Sequence, residues 1–166
     1  MANVRPFVMW PDTRLRTVVE DLPQVTDETR TIWDDMIETM DAMPGVGLAA
    51  PQIGVMQRLA VVDCSDARGQ AICMANPRIL HASAKLRTHE EASPNLPHVS
   101  AAIDRPRAVT VAFLNRDGAP EERDFVDIWA TSVQHQIDHL NGKLYITHLS
   151  KVKRDMLIKK SLKARG

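Results

Sequence analysis

The sequence predicts an α+β fold, with strands in the middle of the chain and helices before, among and after them. Three observations carry this expectation. Apolar residues recur with helical period in separated stretches near 27–42 and 125–141. Short runs rich in β-branched residues, bounded by turn signals, lie between these stretches. The second helical stretch also carries few charges on either of two opposed faces, as suits a helix packed on both sides.

In the first helix, residues 27–42, Ile32, Trp33, Met36, Ile37 and Met40 fall at three-and-four spacing. Thr26 precedes it as the capping residue, and Pro44 and Gly45 stop it. Residues 54–64 and 70–79 read as strands. So do residues 107–114, followed by a turn at 115–118. In 125–141, Val126, Trp129, Val133, Ile137 and Leu140 share one stripe, while Ile128, Ser132, His135 and His139 share the opposite one. A helix sandwiched this way turns its two histidines inward or toward a cleft. Gly142 ends it. Residues 151–165 form a basic terminal helix with seven basic residues and one acidic one, and Val152, Met156, Leu157 and Leu162 as a sparse apolar face. The rest of the chain is therefore net acidic.

The chain has 166 residues, 44% hydrophobic and 25% charged, which is the composition of one folded domain spanning 1–166, with 151–166 as its basic tail. Twenty-one basic residues balance twenty-one acidic ones, so no sequence-specific nucleic-acid partner is expected. No apolar run is long enough to span a bilayer, and the N-terminus lacks signal-peptide character, so a cytoplasmic, membrane-free protein is expected. Two cysteines, Cys64 and Cys73, cannot build a disulfide framework. With six histidines beside them, any metal site is His-led.

Two segments could carry chemistry. His135-Gln136-Ile137-Asp138-His139 puts two imidazoles one helical turn apart, the spacing that offers two nitrogens to one metal ion. The same spacing also suits two histidines satisfied by local hydrogen bonds. Gly45-Val46-Gly47-Leu48-Ala49-Ala50-Pro51-Gln52-Ile53-Gly54 is a run of small residues where backbone can approach a ligand, with the Gln52 amide able to donate and accept. It equally suits a Gly-Pro turn between helix and strand.

Together these segments resemble the peptide deformylases, metal hydrolases that remove the formyl group from the N-terminal methionine of new bacterial proteins. Residues 45–52 resemble that family's G-x-G-L-A-A-x-Q motif, and Gln134 to Gly142 resembles its Q-H-E-x-D-H-L-x-G helix. Pro11 to Arg16 and Asn76-Pro77 fit as well, so the likeness runs along essentially the whole chain in order. It implies antiparallel strands wrapped around the His135/His139 helix and a divalent metal, iron or zinc, on those two histidines. It also implies an oxyanion role for Gln52 and a peptide-binding edge at Gly45, Val46, Gly47 and Leu48. The family's E-G-C-L-S-x-P strand aligns with Glu91-Ala92-Ser93-Pro94-Asn95-Leu96-Pro97, and its V-x-R-P with Ile103-Asp104-Arg105-Pro106. Glu91 and Arg105 are then expected to pair behind the site.

This register exposes three departures. Ser93 stands where the third metal ligand is a cysteine thiolate, and a serine hydroxyl is a much weaker acid and a poorer ligand. Gln136 stands where a glutamate shuttles protons, which an amide cannot do. Pro94 stands where a leucine backbone N–H helps hold the oxyanion, and proline has none. His89 and His98 are the nearby residues able to replace the lost ligand. Ser93 beside His135 also suggests a nucleophile and a base, without a third orienting group. Three functional expectations follow: a deformylase-like protein with little or no deformylase activity, a weak or altered metal-dependent amide hydrolase, or a non-catalytic module. The last would bind the N-terminal peptide of nascent chains, or the ribosome through its basic C-terminal helix.

Overall fold

The computed structural model describes residues 1–165. Gly166, the last residue of the expected basic tail, lies outside them. The first helix, α1 (Asp27–Ala42), has the expected bounds. Thr26 Oγ1 accepts from the Thr29 N–H while Thr29 Oγ1 accepts from the Thr26 N–H, a reciprocal cap that fixes where the helix begins.

Seven strands follow in chain order: β1 (Gly47–Ala49), β2 (Leu59–Val62), β3 (Ile72–Ala82), β4 (Leu86–Ser93), β5 (Leu96–Pro106), β6 (Ala108–Leu114) and β7 (Pro120–Val126). Then come α2 (Asp127–Leu140) and α3 (Lys151–Arg165). All strand pairs are antiparallel, in a five-stranded sheet of order β1-β2-β3-β6-β7 and a separate β4–β5 hairpin.

Alternation along the central strands explains the layering. Leu59, Val61, Cys73 and Ala75 pack with Trp33, Met36 and Met40 of α1. Their neighbours Val62 and Met74 pack with Val133 and Ile137 of α2. Successive strand residues point to opposite faces, so α1 and α2 cover opposite sides of the sheet. This is why β2 is apolar at every position and buried throughout. The β4–β5 hairpin closes over the other side of α2, and α3 packs on β5 through a cluster containing Leu96, Val99, Ile103, Tyr145, Leu157 and Ile158. The helix with two uncharged faces is thus sandwiched, as expected.

Several boundaries differ from the sequence reading. The first predicted strand begins only at Leu59, because Gly54 takes a left-handed φ of 79° and ends a 3-10 turn at Ala50–Ile53. The 45–54 segment is therefore not all loop, since β1 and this turn lie within it. The second predicted strand is shifted to 72–82. Phe125 and Val126 belong to β7, and Val126 is exposed, so the stripe starts later than expected. On α3, Val152, Met156 and Leu162 face outward, and the inward residues are Leu157, Ile158 and Ser161. Ser161 Oγ donates to the Pro97 carbonyl at 2.5 Å, which fixes that face.

Gly142 has a φ of 73°, and a Cβ placed there would sit 2.8 Å from the Arg16 carbonyl carbon and oxygen. Gly142→Ala combines left-handed strain with a backbone clash, and is expected to lower unfolding stability by more than about 1 kcal/mol. A reduced urea midpoint at unchanged m-value checks this, and an unchanged midpoint contradicts it.

Candidate functional site

A cleft opens between β4–β5, the segment 43–47 and α2. It is lined by residues including Gly45, Val46, Gly47, Gln52, Glu91, Ser93, Pro94, His135 and Gln136. The fold thus brings together most of the predicted site residues, drawn from stretches up to ninety positions apart. Three do not reach the cleft wall: Leu48, His139 and Arg105, the last of which is buried behind Glu91. Leu48 is fully buried in the α1 cluster, because strand alternation turns it to the core side of β1. His139 is 1% exposed and lies behind His135.

The site is organised from behind. Glu91 and Arg105 form a buried ion pair, with Nε to Oε2 at 2.7 Å and Nη2 to Oε1 at 2.9 Å. The expected pairing is present. Arg105 Nη1 also donates to Asp138 Oδ2 at 2.9 Å, and that oxygen lies 2.8 Å from His148 Nε2. Burial raises the Glu91 carboxyl, but bonds from His135 and Arg105 outweigh it and hold the group below its ordinary range. Glu91 is therefore ionised and accepts from His135 Nδ1–H at 2.8 Å, leaving Nε2 as the other nitrogen of that ring. His139 Nε2 lies 3.2 Å from that nitrogen, and the two rings meet edge-on. Burial and the neighbouring His135 push His139 well below its usual pKa, so it is neutral. Its buried Nδ1 has no partner.

Two imidazole nitrogens 3.2 Å apart have a spacing that two ligands on one tetrahedral ion, each about 2.0–2.1 Å away, would have. The third place holds Ser93. Its hydroxyl donates to Asn95 Oδ1 at 3.0 Å and bonds to neither histidine, so the serine–histidine dyad is not formed. His89 and His98 do not complete a ligand set: no group of three His, Cys, Asp or Glu residues is placed to hold an ion among the described residues. Cys64 is turned to the Val46 and Ile128 carbonyls, and burial pushes its thiol up to about 11. The donors present are two imidazoles and a hydroxyl, without an anionic member.

Gln52 is engaged elsewhere too. Its Oε1 accepts from the Ala49 N–H at 2.9 Å, and its Nε2 donates to Asn95 Oδ1 at 2.7 Å and Ser93 Oγ at 3.4 Å. Asn95, fully buried, also donates from Nδ2 to the carbonyls of Val8 at 2.5 Å and Gln52 at 3.0 Å. Sequence reasoning missed this hub, although Asn95 replaces the serine of the E-G-C-L-S-x-P pattern and the register marked it. Asp138 was missed as well. Gln136 lies against Gly47, where a Cβ would come within 2.4 Å of its Nε2 and 2.5 Å of Ser132 Oγ, so a larger residue there would displace these side-chain ends; the buried Gln136 Oε1 has no partner.

A histidine-pair helix clasped between a sheet and a hairpin, with a buried carboxylate orienting the first imidazole, is the frame of the metal-dependent hydrolases. The comparisons narrow this class. A family model described as polypeptide deformylase matches residues 4–155. A peptide deformylase of Methylocella silvestris is 44% identical over 166 residues, covering 97% of this chain and 85% of that protein. One from Hydrogenovibrio crunogenus is 44% identical, covering 93% and 90%. The crystal structure of peptide deformylase from Ehrlichia chaffeensis superposes with a TM-score of 0.93 at 33% identity, covering 98% of this chain and 97% of that one. The chain belongs to the polypeptide deformylase family, which is metal-dependent.

Two substitutions test this geometry. Asn95→Ala strands buried partners on Val8, Gln52 and Ser93, and is expected to cost about 2 kcal/mol or more in stability, measured by denaturant unfolding. Glu91→Gln breaks a buried pair, with an expected loss of about 3–5 kcal/mol at neutral pH. Because the folded Glu91 pKa is depressed, its contribution is complete above the unfolded carboxyl value and is lost as pH falls through the folded value. The stability gap between wild type and Glu91→Gln must therefore narrow below about pH 4.5; a gap constant down to pH 3 would contradict the assignment.

Proposed function

We propose that this chain is a deformylase-family protein with little or no deformylase activity, which keeps the cleft as a groove for an N-terminal peptide. One observation carries the reading: Ser93, Pro94 and Gln136, the three replacements inferred from the family motifs, line one cleft. They affect three separate parts of one reaction.

The metal, when bound in the family, polarises the formyl group and supplies an activated water. Here two imidazoles without a thiolate offer a weak site, so the cleft holds no metal tightly. Gln136 cannot take up and return a proton, a loss typically worth about 10²–10⁴-fold. Pro94 has no N–H for a developing oxyanion, and the Gln52 amide hydrogens are directed to Asn95 and Ser93. Losing one such donor costs about 10²–10³-fold. These factors do not add, yet each alone is damaging. What the cleft retains is shape and backbone. β1 is an edge strand of the sheet, and an extended peptide can pair with such an edge.

The protein, purified after expression with added zinc or iron, is expected to contain far less than one metal per chain by elemental analysis. Its melting temperature should not change with chelator. On a formyl-methionyl peptide it should turn over at least a hundredfold more slowly than an active deformylase assayed alongside. Stoichiometric metal with turnover within tenfold of that enzyme would overturn the reading.

A further inference from the structure

Among the described residues, one face of the five-stranded sheet is only partly covered by helix. α1 covers β1, β2 and the first part of β3, as far as Cys73 and Ala75. α2 covers the opposite side of β6 through Val109, Val111 and Phe113. On the α1 side, Ala108, Thr110 and Ala112 of β6 therefore stay half-buried although β6 is an inner strand. These small residues form the floor of two adjoining hollows, which share no residue with the cleft.

The two margins of this face differ in chemistry. On β3, Arg78 stands opposite Ala112 and His81 opposite Thr110. On β7, Glu122 stands opposite the same Ala112, and Asp124 opposite the same Thr110. Two rows thus cross the sheet, Arg78–Ala112–Glu122 and His81–Thr110–Asp124, each with a nitrogen side chain at one end and a carboxylate at the other. A register shift in β3 between Ile79 and His81 makes this possible, because it brings residues three apart onto one face, where a regular strand would turn them to opposite faces. All four margin residues are exposed, and none makes a salt bridge among the described residues. The neighbouring acids are engaged: Asp21 lies 3.6 Å from Arg58, and Glu121 2.6 Å from Arg123. Asp124 accepts from Thr110 Oγ1 at 2.6 Å, which holds its carboxylate on the face.

Because β3 and β7 flank β6 at an equal spacing of about 4.8 Å, a half-turn about an axis along β6 exchanges the two margins. It sets Glu122 facing Arg78 and Asp124 facing His81, at unchanged height along the strands. We propose that this chain forms a two-fold homodimer through the uncovered face of β3, β6 and β7, with Arg78 of each copy pairing with the partner's Glu122 and His81 with the partner's Asp124. Each contact is then made twice, as two-fold symmetry requires. The small floor lets the sheets approach to about 10 Å, the ordinary distance for packed sheets. A nucleic acid on this face would meet Glu122 and Asp124, and a protein surface of one sign would be repelled along one margin. A surface with both signs in exchanged order answers both margins, and a second copy supplies it. The cleft stays open in this dimer, since α2 lies on the other side of the sheet.

Sedimentation velocity of the full chain, from micromolar to millimolar concentration, tests this. The wild type is expected to show a reversible monomer–dimer equilibrium that weakens as salt rises. Arg78→Glu and Glu122→Arg, each alone, set like charges against each other at both contacts, and each should weaken self-association by about tenfold or more. An equimolar mixture of the two variants should dimerise like the wild type, because opposite charges then meet at both contacts. A folding defect in either variant could not be rescued in this way. A wild type that stays monomeric throughout the range overturns the proposal and leaves the face to a different partner. Single variants that associate as tightly as the wild type, or a mixture that stays monomeric, overturn it as well.

Discussion

One buried carboxylate holds the site together. Glu91 joins the hairpin to α2 by accepting from Arg105 on one side and His135 on the other, and Arg105 carries the linkage on to Asp138. Burying such charges is costly unless each is paired, and here each is. The arrangement fixes the orientation of the His135 ring, whose Nε2 lies 3.2 Å from His139 Nε2. A cleft wall made from a strand and a helix would slide without this tie, because the apolar contacts behind it do not specify register.

The molecule separates scaffold from chemistry. The parts that shape the cleft are kept: Gly47 giving room for Gln136, the 3-10 turn presenting Gln52, and the carboxylate orienting the first imidazole. Ser93, Pro94 and Gln136 are the cleft residues that depart from the family motifs. The replacements also form their own network, because Asn95 joins Ser93, Gln52 and the Val8 backbone in a fully buried hub. Hydrogen bonds of this kind tie three distant segments together and engage both ends of the Gln52 amide.

The sequence made some of this architecture legible and left the rest obscure for physical reasons. The bounds of α1 are encoded locally, by a reciprocal threonine cap, apolar spacing and a Pro-Gly stop. The sandwiching of α2 was readable because two opposed faces lack charge. The hairpin strands β4 and β5 gave no period-two signal, since β4 turns Arg87, His89, Glu91 and Ser93 inward and is polar on both faces. β7 is similarly charged along most of its length, which let the helical pattern of α2 be extended back over Phe125. The Glu91–Arg105 pair was anticipated from motif register. The Asn95 hub depends on contacts with residues more than forty and eighty positions away, which no local pattern encodes.

The central claim is that an intact deformylase scaffold lacks only its reactive groups. The most direct measurement is the deformylase activity and metal content of a variant carrying Ser93→Cys, Pro94→Leu, Asn95→Ser and Gln136→Glu together. The account predicts one metal ion per chain and turnover of a formyl-methionyl peptide at least a hundredfold above wild type. A folded, metal-loaded variant no faster than wild type would contradict it.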